Sequence, residues 1–404
     1  MSSRPRANIN PVVLVWARDQ AKLTVEEAAK KLNVKPERFA AWENPNDGAK
    51  PTFRQLRLLA KALHRPPSLF YLAEPPVSFR PMKDLRRLPG DGLLAFSSGL
   101  AYEMELAQQR RELSLQLSIA ASEDVPEFSL RAMLEEDPER VGRRLREALK
   151  ITFTAQSNWR RQGALESFKN WRRAMENLDV LVFQMSRVDW KEVSGFALAV
   201  PQRPIITVNR KDTPNRRTFS LLHEFAHLML GQSGASDLNV DAARPPETQR
   251  VEVFCNAVAA AALVPRERLL SQEIVQHYGA RSVQWHDDDL LELANLFAVS
   301  RIALLRRLLT FRRITQAFYE RKAKQWNEEW LTEQKRRKRR QKDNNKPYAT
   351  NPPLEVFYNL GRPFVRQVLD SMNTNLITMH EASGHFGNLR VRHFPKLEQQ
   401  VYAG

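Results

Sequence analysis

Apolar positions along the chain recur mostly at the spacing of helices, and only one stretch has the pattern of strands. Apolar residues three or four positions apart predict helices that bury one face, whereas short apolar runs rich in Val and Ile predict strands. Three such runs follow one another at 180–184, 195–200 and 205–208. Helical patterns fill most of the chain before and after them. The sequence therefore predicts a mainly α (α+β) fold that contains one small sheet.

Residues 8–74 carry five short helical patterns, and several of them begin with residues that favour helix N-termini. Thr24 and Thr52 stand at N-cap positions, and Pro36 stands in the first turn of the third pattern. Glu27 lies three residues after Thr24, which predicts a capping box. A turn of only three residues separates the second helix from the third. Two helices joined in this way are typical of the helix-turn-helix motif, in which the second helix enters the major groove of DNA.

The most specific pattern lies directly after the predicted strands. No Pro or Gly interrupts the run from Asn215 to Leu230, so this run predicts a helix with an apolar frame. His223 and His227 lie four positions apart and therefore on one face, where two imidazoles can bind one zinc ion. Glu224 lies beside them and can act as a general base towards a water molecule. The alternative is an amphipathic core helix with two hydrogen-bonded histidines.

A third ligand is needed, because catalytic zinc sites usually have three protein ligands and one open position. Glu252 lies inside the alanine-rich helical pattern 247–264, where a carboxylate is costly unless it is paired or binds a metal. Glu252 is therefore the candidate third ligand. Two alternatives stay open: Glu252 can lie on a solvent-exposed face beside Arg250, and His277 or His286 can supply the third ligand.

Together, these patterns resemble the ImmA/IrrE group of metallopeptidases. That group has a His-Glu-x-x-His helix after a strand that ends in Asn, followed by a Glu-x-x-x-Asn-x-x-Ala-Ala pattern that runs to a Pro. The matching residues here are Asn209, His223, Glu224, His227, Glu252, Asn256, Ala259, Ala260 and Pro265. The resemblance implies a zinc endopeptidase, with Mn²⁺ as the alternative metal. It also implies that His223, His227 and Glu252 bind the metal and that Glu224 is the catalytic base.

The N-terminal segment resembles the Xre-type (Cro/C1-like) helix-turn-helix domain. The matching stretches are 23–32, 39–43 and 51–56. Base contacts in such motifs come from the N-terminal residues of the second helix, which makes Lys35 and Arg38 the candidate DNA-binding residues. Glu37 lies between them and repels phosphate. A domain that docks a protein partner is therefore the alternative to a DNA-binding domain.

The resemblance to ImmA/IrrE peptidases also implies a substrate class. Members of that group typically cleave a repressor that is itself an Xre-type DNA-binding protein, which relieves repression in stress responses or mobile-element induction. We therefore expect a protein substrate of this class, with DNA as a second partner. The strand 205–208 is our candidate for an edge strand that holds an extended peptide. The alternative function is a transcriptional regulator or antitoxin whose zinc fold is a sensor or scaffold, and self-cleavage is a third hypothesis.

Charge and composition indicate which binding partners and which cellular compartment to expect. The chain of 404 residues has a net charge of +17, which favours contact with a polyanion such as DNA, although the run 335–342 alone supplies seven of the positive charges. No stretch approaches the roughly 18 unbroken apolar residues of a membrane helix. The N-terminus lacks an apolar signal core, and Cys255 is the only cysteine. These features predict a cytoplasmic protein without a membrane partner, and they leave the oligomeric state open.

The same patterns predict where domains begin and end, and a chain of this length is expected to contain about two to four folded units. Pro75 and Pro76 mark the first boundary, and the basic run marks a later one. The predicted segments are a helix-turn-helix domain at 1–74, a linker and helical region at 75–178, a metallopeptidase domain at 179–334 with a start as early as 150, a basic run and linker at 335–352, and a small helical C-terminal region at 353–404.

Overall fold

The computed structural model describes residues 5–63, 65–76, 97–236, 246–343 and 351–403. Within these ranges it contains nineteen α-helices and one four-stranded sheet, which confirms the predicted mainly α (α+β) class. The chain divides into two compact units, Met1–Arg110 and Arg111–Gly404. Most of the linker predicted after residue 75, and part of the one predicted after the basic run, lie outside the described ranges. None of the described helices combines the length and the hydrophobicity that a bilayer crossing requires.

The first unit is a small helical domain with its own core. Its helices are α1 (Pro11–Gln20), α2 (Val25–Leu32), α3 (Pro36–Glu43), α4 (Phe53–Ala62), a 3₁₀ helix (Pro67–Tyr71) and the start of α5 (Ser98–Ala120). The capping box predicted from the sequence is present: the N–H of Glu27 donates to Thr24 Oγ1 at 3.2 Å, and the N–H of Thr24 donates to Glu27 Oε2 at 2.9 Å. Asn33 follows α2 in the left-handed region, at φ 54°, and begins the short turn into α3. Phe39 and Trp42 are buried in the core of these helices.

The second unit contains the sheet and, in the described residues, all the later helices. These are α6 (Pro138–Ala148), α7 (Phe153–Arg161), α8 (Ala164–Glu176), α9 (Pro214–Met229), α10 (Pro246–Leu263), α11 (Arg266–Leu270), α12 (Glu273–His277), α13 (Asp287–Leu296), α14 (Arg301–Thr310), α15 (Gln316–Asp343), α16 (Pro352–Leu360), α17 (Arg362–Asn373), α18 (Met379–His385) and α19 (Phe394–Tyr402). The sequence patterns did not predict α7, because its Thr, Ser and Asn residues have low helix propensity.

The sheet has the strand order β1-β3-β2-β4. Its strands are β1 (Leu181–Met185), β2 (Gly195–Leu198), β3 (Ile205–Asn209) and β4 (Gly234–Ser236). β3 pairs in parallel with β1 and antiparallel with β2, and β2 pairs antiparallel with β4. The prediction that 205–208 is an edge strand is therefore wrong: β3 has partners on both sides, as expected for a strand buried on both faces. β4 was not predicted, because Gly and Ala have little preference for strands.

Two helices carry the candidate site, and their neighbours fix their positions. α9 packs against β2, β3, α8 and α10, and α10 in turn packs against α6. Gly142 on α6 allows this close approach, since a Cβ there would lie 2.8 Å from a side chain of α10. Buried arginines bond the carbonyl groups at the end of α10: Arg146 donates to the Ala262 oxygen at 2.7 Å, and Arg307 donates to the Val264 oxygen at 2.6 Å. Cations at a helix C-terminus stabilise the helix.

The long helix α15 contains the basic run. It continues without a break to Asp343 and does not end at the boundary predicted at residue 334. Lys, Arg and Gln are good helix formers, and no Pro or Gly interrupts them in this stretch. Earlier in the same helix, Phe318 and Trp326 are buried in the core of the second unit. The helix therefore begins in that core and extends through the basic run.

Candidate metal centre

α9 carries two of the predicted ligands and is buried along most of its length. Thr213 caps its N-terminus by accepting a hydrogen bond from the N–H of Arg216 at 3.4 Å, and Pro214 occupies the first turn. Between Arg217 and Met229 nearly every residue is buried, because the sheet and two helices surround this segment. A helix that is apolar around most of its circumference belongs in a core. The ionisable side chains within it therefore need partners inside the protein.

His223, His227 and Glu252 come together where α9 contacts α10. The Nε2 atoms of the two histidines lie 3.1 Å apart. Glu252 Oε2 lies 3.4 Å from His223 Nε2, and Glu252 Oε1 lies 3.4 Å from His227 Nε2. All three side chains are buried, and their potential ligand atoms lie within 4.8 Å of one another. Glu252 therefore does not lie on a solvent-exposed face.

Two further polar side chains contact the histidines. Asn256, one turn after Glu252 on α10, has its Oδ1 3.0 Å from His223 Nδ1. A His223 tautomer whose Nδ1–H donates to this oxygen directs the lone pair of Nε2 towards the cluster. From β4, Ser236 Oγ lies 3.1 Å from His223 Nε2 and 3.5 Å from His227 Nε2. The Ser236 hydroxyl thus approaches the same two nitrogen atoms as the Glu252 carboxylate.

Glu224 is fully buried next to this cluster. Neither of its carboxylate oxygens has a hydrogen-bond partner among the described residues. Burial, together with the negative charge of Glu252, raises the pKa of Glu224 well above its usual value, although the Ser236 hydroxyl acts in the opposite direction. The strand β2 leaves room for this side chain at Gly195: a Cβ there would lie 3.0 Å from Glu224 Oε1 and 3.0 Å from the carbonyl oxygen of Thr207. The fold therefore holds Glu224 beside the cluster without satisfying its carboxylate.

The charges of the cluster depend on one another. Burial alone would raise the pKa of Glu252, but the neighbouring imidazoles of His223 and His227 outweigh this effect and lower the pKa below its usual value. Burial lowers the pKa of His227, although Glu252 acts in the opposite direction. The lowered pKa of Glu252 favours its ionised carboxylate, which is the form that binds a metal ion.

These residues fit a divalent metal ion such as zinc. Two imidazole nitrogens and one carboxylate are a known ligand set of catalytic zinc sites. Both oxygens of Glu224 and Oε2 of Glu252 are buried without a hydrogen-bond partner in the described residues. A cation and its bound water would satisfy such atoms. In the described ranges, no second group of three His, Cys, Asp or Glu side chains converges in this way.

The other residues predicted from the sequence lie elsewhere. His277 and His286 are exposed and do not belong to the cluster. Lys35 and Arg38 are exposed at the N-terminal end of α3, and their contact with DNA stays a prediction. Ser236 is a residue that the sequence did not reveal. Only the pairing of β4 with β2 brings it to the histidines, and no local pattern encodes that pairing.

Comparison with known proteins gives a match for the part of the chain that contains this cluster. Residues 175–309 match the family model Peptidase_M78, described as IrrE N-terminal-like domain. The matched range includes His223, Glu224, His227 and Glu252, and it does not extend to the N-terminal unit. No curated protein matches the chain. Over residues 175–309 the chain is thus similar to peptidases of the IrrE and ImmA kind, and this match supports a metallopeptidase.

Proposed function

We propose that the chain is a zinc-dependent endopeptidase that cleaves an Xre-type repressor and so relieves transcriptional repression. One observation carries most of the support: the ligand atoms of His223, His227 and Glu252 converge next to the buried carboxylate of Glu224. A fold that serves only as a sensor or scaffold has no need of all four groups in this arrangement. The match of residues 175–309 to a peptidase family supports the same reaction.

Each residue of the cluster would have a separate role in peptide hydrolysis. His223, His227 and Glu252 hold the metal, and Asn256 orients His223. A bound zinc ion supplies Lewis acidity, which lowers the pKa of a water molecule and polarises the scissile carbonyl. Glu224 accepts the proton of the attacking water and later donates it to the leaving amine. Because Glu224 makes no hydrogen bond to the described residues, its carboxylate is available to hold that proton.

An extended substrate peptide can add to the free side of β4. In the described residues, β4 pairs with β2 on one side and with no strand on the other. Backbone groups on such an edge can pair with an extended segment of another protein. β4 contains Ser236, whose Oγ lies 3.1 Å from His223 Nε2, so a peptide on this edge passes close to the metal ligands. We therefore assign peptide binding to β4 in place of β3.

The N-terminal unit supports the choice of substrate class. Its helices α2 and α3 pack against each other across a turn of three residues, and the unit has a core of its own. Lys35 and Arg38 are exposed at α3 and form no ion pair within the described residues. Such a unit can bring the peptidase to an operator, or it can pair with a like domain on the repressor.

Cleavage of a candidate substrate tests the proposal. The full chain is incubated with an Xre-type repressor encoded next to it, either with zinc or after removal of metal by a chelator. We expect mass spectrometry to detect defined repressor fragments only when metal is present. Binding of the repressor without cleavage under both conditions would favour the alternative function of a regulator or antitoxin. Shortening of the chain itself after metal addition would favour self-cleavage.

Gly195→Ala will reduce peptide cleavage more than it reduces zinc binding. The new methyl group would lie 3.0 Å from Glu224 Oε1, so Glu224 must move while the ligands on α9 and α10 keep their places. Overpacking of this kind typically costs about 1–3 kcal/mol of stability. Gly279→Ala is the matched control, because no atom lies within 4 Å of the Cβ position at Gly279 and this residue belongs neither to the cluster nor to β4. Cleavage rates and zinc contents are compared at a temperature where both variants are folded, and equal rates would contradict the role given to Gly195.

Arg38→Ala will weaken the binding of the full chain to duplex DNA, by about 1–3 kcal/mol where the guanidinium contacts a base. Affinity should also fall as salt rises, because phosphate contacts release counterions. Arg57→Ala is the matched control, since Arg57 is an exposed arginine on α4, outside the predicted recognition helix. Affinities are measured by fluorescence anisotropy on a duplex selected from a random pool. Equal affinities of the two variants, without salt dependence, would indicate a protein-docking domain.

A further inference from the structure

A basic cavity lies in the second unit, apart from the candidate metal centre. Its volume is about 360 Å³, within the usual range of small-molecule sites. Residues of α8, β1 and α9 line one part of it, and residues of α16, α17 and α19 line another. None of the proposed metal ligands is in its lining. The cavity therefore lies where the C-terminal helices meet the region that matches the peptidase family.

Positive charge dominates the lining of this cavity. Its cationic side chains are Lys169, Arg172, Arg173, Arg210, Arg217 and Arg362. The lining has two carboxylates, and both are already paired, Glu166 with Lys169 at 3.0 Å and Glu176 with Arg172 at 2.7 Å. A third pair joins Arg210 to a glutamate outside the lining. The other three arginines have no ion pair within the described residues. The cavity thus has more positive charge than its own carboxylates balance.

Arg217 is the most unusual of these cations because it is buried and forms no ion pair within the described part of the chain. Only 9% of the residue is exposed. Its Nη1 donates to Gln184 Oε1 at 2.6 Å, and its guanidinium lies 4.8 Å from the centre of the Phe168 ring. Its Nε has no hydrogen-bond partner among the described residues. Burial, together with the charge of Arg210, lowers the pKa of Arg217 to about 10, although the charge of Asp212 acts in the opposite direction. A buried cation that no carboxylate contacts directly is costly, and an anion in the cavity would offset that cost.

The corner between α16 and α17 adds to the preference for an anion. α17 begins at Arg362, and no side chain of the described residues caps its N-terminus. This end of the helix lies at the cavity, because Gly361 and Arg362 both line the cavity. The positive end of a helix dipole favours anions. Gly361, at φ 82°, allows the corner to approach α8, since a Cβ there would lie 2.5 Å from Arg172 Nη2 and 2.5 Å from Glu176 Oε1.

We propose that this cavity binds a nucleoside phosphate, a small anion that also carries a flat aromatic ring. The arginines supply contacts for the phosphate, and the partly exposed Phe357 and Tyr358 supply aromatic surface for the ring. A backbone phosphate of duplex DNA cannot reach Arg217, because this side chain is buried within a concave site. The ligand does not occupy the position of a peptidase substrate, since neither Glu224 nor a proposed metal ligand lines the cavity. Binding does not depend on peptidase activity.

Arg217 also links the cavity to the candidate metal centre. It lies six residues before His223 on α9, roughly 9 Å along the helix axis. Its partner Gln184 belongs to β1 and donates to the carbonyl oxygen of Tyr358 on α16 at 2.6 Å. An anion held by Arg217 and Arg362 would therefore connect the helix that carries the histidines to the C-terminal helices. We expect an anion bound in the cavity to stabilise both α9 and the C-terminal helices.

Calorimetric titration of the full chain, purified free of nucleotide, tests the ligand class. The probes are the four nucleoside monophosphates AMP, GMP, CMP and UMP, with inorganic phosphate for comparison. We expect at least one nucleotide to bind at one site per chain, to raise the Tm, and to bind more than about tenfold more tightly than phosphate. Phosphate that binds as tightly as every nucleotide would overturn the nucleoside assignment. Failure of all four nucleotides to show saturable binding up to millimolar concentration would overturn the proposal.

Three variants test whether binding occurs in this cavity. Arg217→Gln and Arg362→Gln should each weaken the tightest nucleotide by about tenfold or more, because each removes a charged contact. Arg362 is only partly buried, so Arg362→Gln gives a folded variant even where Arg217→Gln does not. Arg161→Gln changes an exposed arginine of α7 outside the lining and should bind like the wild type. Unchanged binding in Arg362→Gln, or equal weakening in Arg161→Gln, would overturn the proposal.

Discussion

Glu224→Gln will reduce peptide cleavage by about 10²–10⁴-fold, the usual contribution of a general base, and will leave the zinc content unchanged. The amide has nearly the shape of the carboxylate and fits in the space beside Gly195, but it does not take a proton from water at neutral pH. The proposed ligands His223, His227 and Glu252 are not altered. Loss of cleavage with retention of metal is therefore the result expected of a proton carrier.

The control for this variant is Glu247→Gln, which changes an exposed glutamate at the start of α10. It should cleave like the wild type and hold the same amount of zinc. Full activity of Glu224→Gln would contradict the proposed mechanism. A fall in its zinc content, in step with its activity, would mean that Glu224 binds the metal and does not act as the base.

The convergence of the proposed ligands His223, His227 and Glu252 was predicted from local spacing together with the resemblance to the ImmA/IrrE group. His223 and His227 share a helix face through the helical period alone. The apolar surroundings of Glu252 indicated that its carboxylate needs a partner, and Glu252 is buried beside both histidines. Helix starts were predictable for a similar reason, since the hydroxyl of Thr24 accepts a hydrogen bond from the N–H of Glu27 within one turn.

Contacts between distant segments could not be predicted in this way. The order of the strands depends on pairing between parts of the chain that are far apart, so the interior place of β3 has no local signal. The same pairing brings Ser236 to the histidines and Gly195 to Glu224. The cations of the basic cavity are spread from Lys169 to Arg362, and no spacing rule connects residues of α8 with residues of α17.

Glu252→Ala will cause the largest loss of bound zinc among single substitutions that leave the histidines intact. It removes the only carboxylate of the cluster and leaves two imidazoles as ligands. Asn256→Ala is the matched comparison, because it removes the partner of His223 Nδ1 without removing a ligand. Such second contacts typically contribute about 10–100-fold to metal affinity. We expect the zinc affinity of Glu252→Ala to fall by more than about 100-fold and that of Asn256→Ala to fall by about 10–100-fold. Competition with a chromophoric chelator measures both affinities.

A Glu252→Ala chain that keeps one tightly bound zinc ion would place the third ligand elsewhere. His277 and His286 are exposed and lie outside the cluster, so neither can replace Glu252 without a rearrangement of the fold. Ser236 is closer, because its Oγ lies 3.1 Å from His223 Nε2. A double variant, Glu252→Ala with Ser236→Ala, would then have to lose the metal. Retention of zinc in the double variant would show that the convergence of α9, α10 and β4 does not form the metal site.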